Sequence, residues 1–141
     1  MNIKKKILSY IVGITMIFSS FSTAIAANIS DTPFSFDNNT SDGYTQWRYK
    51  SDTSKVYVYP QSGTTTFFSV QAATSATATS AGYSWPSYAI PVGQRSSITT
   101  YAYEWGYSYV RIHMHYNQHY VPVITTGVWS PDSTQNYYVY P

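Results

Sequence analysis

The sequence predicts an all-β fold: a single antiparallel β-sandwich, immunoglobulin-like or a small barrel, of about seven short strands. Beyond its first 26 residues the chain has no leucine, the usual filler of helical cores, yet it holds 15 of the 16 tyrosines and abundant Thr and Val. Aromatic and β-branched side chains suit a pleated, half-buried surface and lose rotamer freedom in a helix. Turn residues (Gly, Pro, Asn, Asp, Ser) also punctuate the chain every 8–12 or so positions, the spacing of a sandwich or small barrel. There is no cysteine. Stability must therefore come from the core, which the remaining 115 of 141 residues can supply as one domain.

Residues 1–26 read as a secretory signal peptide: Lys4, Lys5 and Lys6, an uncharged run over residues 7–18, then Ala24-Ile25-Ala26 with small residues at the −3 and −1 positions. An uncleaved anchor is the rival reading, and Ser19, Ser20, Ser22 and Thr23 make that span poorly apolar. The expected location is secreted, extracellular, with no stable membrane span after cleavage. Removing three lysines turns a formal charge of +2 into five basic residues (Arg48, Lys50, Lys55, Arg95, Arg111) against six acidic ones, a net of −1. No basic stripe remains to neutralise a phosphate backbone, so no nucleic-acid partner is expected.

The elements follow in order. Residues 27–43 read as a flexible lead-in around Phe34 and Phe36, and residues 44–141 as the sandwich domain. Residues 44–50 and 55–59 read as strands joined into a hairpin by the polar stretch 51–54, with Val56 and Val58 on one face and Tyr57 and Tyr59 on the other. A turn at 60–63 leads to a strand at 64–72. The Ala/Thr/Ser-rich stretch 71–82 is a loop or a pair of weak edge strands. A turn at 83–86 precedes strands at 87–92, 95–103 and 107–116, with Gly93 and Glu104-Trp105-Gly106 as corners. The last clear strand, 121–129, ends at Ser130-Pro131-Asp132-Ser133, where Pro131 presets φ and Asp132 caps backbone amides. Residues 137–140 form a short edge. Tyr57-Val58-Tyr59-Pro60 and Tyr138-Val139-Tyr140-Pro141 repeat one phrase, as two edge strands ending in proline would.

The strand at 107–116 carries the strongest candidate chemistry. Alternation puts Val110, Ile112 and Met114 on one face and Tyr109, Arg111, His113 and His115 on the other. His113 and His115 stand side by side with His119 a short turn on, which makes a metal-dependent enzyme one alternative. The site lacks further ligands: Glu104 is the only glutamate, and Arg111 on the same face repels a cation. No cofactor is expected. Nucleophile-elbow, His-Glu-x-x-His, phosphate-loop and dinucleotide motifs are absent, so the chain is expected not to be an enzyme. Of the six carboxylates, Asp52 and Asp132 fall in turns, where backbone capping accounts for them. An aromatic surface of Tyr57, Tyr59, Tyr107, Tyr109 and Arg111 suits binding instead, because a tyrosine ring is apolar and its hydroxyl forms hydrogen bonds.

Several phrases carry a resemblance: Lys55-Val56-Tyr57-Val58, Pro91-Val92-Gly93, Ser97-Ile98-Thr99, Tyr103-Glu104-Trp105-Gly106-Tyr107, and above all Gly127-Val128-Trp129-Ser130-Pro131-Asp132-Ser133. Together they resemble a family of small exported proteins of unknown function from Gram-positive bacteria, a resemblance that covers most of the chain and implies no catalytic residue. In size, leader and aromatic β character the chain is also faintly similar to lactococcin-type bacteriocins, which act on the cell envelope. The expected function is binding, without catalysis, at the cell envelope or to an extracellular ligand, through Tyr57, Tyr59, Tyr107, Tyr109, Arg111, His113 and His115. A secreted bacteriocin or toxin-like protein is the alternative of another class.

Overall fold

The computed structural model describes residues 28–117 and 122–141. The proposed signal peptide, His119 and the start of the predicted strand at 121 lie outside the described residues. Eleven strands follow in chain order: β1 (Thr32–Asp37), β2 (Asp42–Tyr44), β3 (Arg48–Tyr49), β4 (Val56–Ser62), β5 (Thr66–Ala73), β6 (Tyr83–Ser84), β7 (Tyr88–Ile90), β8 (Ser96–Ile98), β9 (Tyr109–His115), β10 (Ile124–Ser130) and β11 (Tyr138–Tyr140). No helix occurs among the described residues. The count exceeds the predicted seven because several strands are only two or three residues long, too short to register as patterns.

Two sheets form a sandwich rather than a closed barrel. One has five strands in the order β1-β10-β4-β8-β11, all antiparallel except the β8–β11 pair. The other centres on the long antiparallel pair β5 and β9, with β2 and β3 on the free side of β9 and β6 and β7 on the free side of β5. Inward side chains alternate as the period of two requires: Val56 and Val58 from the five-stranded sheet, Phe68 and Val70 from β5, Val110, Ile112 and Met114 from β9, with Trp129 fully buried. Phe34 of β1 meets Phe68 of β5 edge to face at 5.5 Å, which joins the two sheets across the core.

Residues 28–43, expected to be a flexible lead-in, instead supply β1 and β2, because Phe34 and Phe36 alternate into the core and both are buried. The hairpin expected across 51–54 does not form: β3 pairs with β9 and β4 with β10 and β8, so this stretch crosses between the sheets. Asp52 caps it as expected, its Oδ1 accepting Ser54 N–H at 2.8 Å. Of the two repeated Tyr-Val-Tyr-Pro phrases, only the second is an edge strand; the first lies inside a sheet. Pro60 is tolerated there because β8 pairs with β4 only as far as Val58, and because the β4–β10 register shifts between Thr126 and Gly127. The stretch after Ala73 is a loop up to β6, tied by Trp47 Nε1–H to the Ala78 carbonyl at 2.8 Å.

Candidate functional site

The alternation of β9 sets the site. Its inward residues Val110, Ile112 and Met114 are buried, so Tyr109, Arg111, His113 and His115 stand on the outer face of the six-stranded sheet. Register chooses their neighbours. On the β5 side Gln71 faces Arg111, Ser69 faces His113 and Phe67 faces His115; on the β2 side Tyr44 faces His113 and Asp42 faces His115.

A line of planar groups results. The Arg111 guanidinium lies 4.3 Å from the Tyr44 ring centre and 4.4 Å from that of Trp47, and its Nε–H donates to Gln71 Oε1 at 2.9 Å. Tyr44 stacks on His113 at 4.8 Å, His113 on His115 at 5.4 Å, and His115 on Phe67 at 5.1 Å, with interplanar angles of 14°, 29° and 17°. Tyr109 meets Tyr49 edge to face at one end. Tyr44 and Tyr49 are exposed; Trp47, Phe67, Arg111, His113 and His115 are half-buried. Beside Tyr44, between β1 and the β2–β3 stretch, opens a cleft of about 230 Å³ lined by Phe34, Gln46, Arg48, Met114 and Trp129 among others. Trp129 Nε1 is buried there with no hydrogen-bond partner among the described residues.

Electrostatics sharpen the centre of the line. His113 Nε2 is 2.5 Å from Asp42 Oδ1 and its Nδ1 is 3.2 Å from Ser69 Oγ, so both ring nitrogens are engaged. The hydrogen bond with His113 holds the Asp42 carboxyl below its ordinary range. Burial first, and then the neighbouring His113, push His115 below its ordinary value. Burial likewise lowers Arg111, which stays protonated.

The sign of the pH dependence follows. His115 takes up a proton less readily folded than unfolded, so falling pH through about 6.5 favours the unfolded chain. Asp42 contributes stability that is present above its ordinary pKa and lost as pH falls through its lower folded value. Both act in one direction: the melting temperature, followed by circular dichroism, falls by several degrees from pH 7 to pH 3, His115→Gln flattens the upper part of that fall, and the Asp42 part comes only below the ordinary carboxylate pKa.

The predicted platform is only partly assembled. Tyr109, Arg111, His113 and His115 come together, but Tyr57 and Tyr59 belong to β4 in the other sheet, and their outward face is on the opposite side of the sandwich. There Tyr57 is buried against Tyr137 at 5.1 Å, and Tyr59 is covered by the Arg95 guanidinium at 4.8 Å. Tyr107 precedes β9 and packs against the core beside Gly82. Asp42, Tyr44, Trp47, Phe67 and Gln71 complete the face and were not singled out from sequence; their only advance signal, strand register, is not written in local pattern.

For the metal alternative, the His113 and His115 rings stack at 5.4 Å, and both His113 nitrogens already face Asp42 and Ser69. Among the described residues no group of three or more His, Asp or Glu is placed to hold an ion. No curated protein and no solved structure gives a significant match to the chain. One family model matches residues 21–133, most of the chain. The chain therefore belongs to the family described as protein of unknown function (DUF2712).

Proposed function

We propose that this protein is exported and acts by binding, without catalysis, at the cell envelope or to an extracellular ligand, through the outer face of the six-stranded sheet. The observation that carries this reading is the line Trp47–Arg111–Tyr44–His113–His115–Phe67. Each member is held by a cross-strand partner or a hydrogen bond, so little side-chain freedom is left to lose on binding. Flat amphipathic rings beside a cation offer apolar contact, hydrogen bonds and a charge in one surface. A stacked line of this kind adds little to folding at its exposed members, since Tyr44 is half in water.

Sedimentation with purified cell-wall fragments tests the reading. Wild type co-sediments, while Tyr109→Ala with Arg111→Ala weakens binding by about tenfold or more, with an unchanged circular dichroism spectrum. Equal sedimentation of the two proteins rejects this face.

A further inference from the structure

A second aromatic surface lies at one end of the sandwich, beyond β6, apart from the face of β9. Trp105 stacks on Trp85 at 5.7 Å and on Tyr101 at 5.6 Å, and Tyr83 meets both tryptophans edge-on at 4.7 and 5.1 Å. Trp85 and the fully buried Ala102 root the cluster in the core, whereas Trp105, Tyr101, Tyr103 and Tyr83 are 53%, 50%, 46% and 42% exposed. The turn carrying three of them is closed by Trp105 N–H to the Tyr101 carbonyl at 2.9 Å and Tyr107 N–H to the Ala102 carbonyl at 2.9 Å. Gly106, at φ +81°, supplies the left-handed residue that ends it. Trp105, Tyr101 and Tyr83 are thus held against one another and Trp85 while exposed to water, with Tyr103 exposed on the same turn, an apolar surface of the kind that marks a binding site.

We propose that this cluster is a binding site for an uncharged polysaccharide. Over residues 74–110 the only charged side chains are Arg95 and Glu104, and Arg95 is committed to Tyr59 and Tyr137. The other basic side chains among the described residues make their contacts elsewhere, Arg48 with Asn28 and Ser30, Lys50 with Asp132, Lys55 with Asn136 and Arg111 with Tyr44 and Trp47. Among the described residues no uncommitted cation is therefore placed to draw anionic lipid headgroups or a phosphate polymer, the usual electrostatic component of membrane-surface binding. A pyranose ring presents an apolar face of C–H groups and a rim of hydroxyls. The first stacks on exposed Tyr and Trp rings; the second meets tyrosine hydroxyls and the Glu104 carboxylate. Preordered rings keep the entropic cost of that contact low.

Titration of the purified full chain with chitohexaose and, separately, cellohexaose, followed by tryptophan fluorescence and by retardation in gels containing hydroxyethylcellulose, tests the site. At least one sugar gives a saturable signal that Trp105→Ala weakens by about tenfold or more and Trp105→Phe largely restores. Arg111→Ala leaves this binding unchanged, so its outcome is separable from that of the β9 face. The proposal is overturned if neither sugar binds, if Trp105→Ala binds like wild type, or if the Trp105-dependent binding is instead to phosphatidylglycerol vesicles.

Discussion

Replacing Asp132 with alanine destabilises the protein by about 3–5 kcal/mol, a large part of the 5–15 kcal/mol that holds an ordinary domain together. Asp132 and Lys50 are both fully buried, with Lys50 Nζ 2.6 Å from Asp132 Oδ1. The ammonium's other donors reach the Ser54 carbonyl at 2.6 Å and the Pro131 carbonyl at 2.9 Å. Oδ2 accepts Asn28 N–H at 2.7 Å, Ser51 N–H at 3.1 Å and Ser51 Oγ–H at 2.6 Å. Burial alone would raise the carboxyl's pKa; the hydrogen bonds from Lys50 and Ser51 outweigh it and leave the group below its ordinary value. The stability it contributes is therefore present above the ordinary carboxylate pKa and lost as pH falls through the folded one. Alanine at this position leaves the buried Lys50 ammonium without its counter-charge and removes the carboxylate oxygen that the Asn28 and Ser51 amides share. Denaturant unfolding measures the loss. The paired change Lys50→Met with Asp132→Leu removes both charges and recovers much of it, which separates a stranded ion from a general loss of packing.

Gly127→Ala is the second large effect, about 3 kcal/mol or more. A Cβ there would lie 2.2 Å from the Tyr59 carbonyl oxygen, 2.7 Å from Phe34 Cζ and 2.8 Å from Pro60 Cα, inside a paired sheet where the backbone cannot retreat. Gly93→Ala is the control. It has open space within 4 Å and only its φ of +86° to lose, for about 1 kcal/mol. Thermal denaturation of the two variants ranks them, and equal melting temperatures would refute the clash.

Asp132 and Gly127 both lie in the phrase Gly127-Val128-Trp129-Ser130-Pro131-Asp132-Ser133, which carries the strongest sequence resemblance. Its work is structural. Gly127 lets β10 and β4 approach at their register shift, Trp129 fills the core, and Asp132 ties the end of β10 to the crossing after β3. By its local pattern Asp132 is a turn cap. It does accept backbone amides, but from Asn28 and Ser51, more than 80 positions away, which no local pattern reveals.

The legible parts were those written in period two. The all-β class and the two faces of β9 followed from alternation and from the lack of leucine, because side-chain direction in a strand is a local property. Which strand pairs with which is not local. The polar stretch 51–54 looks the same whether it closes a hairpin or crosses between sheets, so the pairing of β3 and β4 was misread and Tyr57 and Tyr59 were assigned to the wrong surface. Phe34 and Phe36 stand out in the sequence, but the polar residues around them mask a strand that pairs along its whole length with β10. The stacked line on β9 needed Tyr44 and Phe67 as flanking partners, and only register supplies them.

Chemical-shift mapping of the protein with soluble cell-wall fragments reaches the central claim most directly. Perturbations at Trp47, Tyr44, Arg111, His113, His115 and their strand neighbours, alongside any at the Trp105 cluster, are the predicted result. Perturbations confined to the outer face of the five-stranded sheet, or none at saturating fragment, would contradict it.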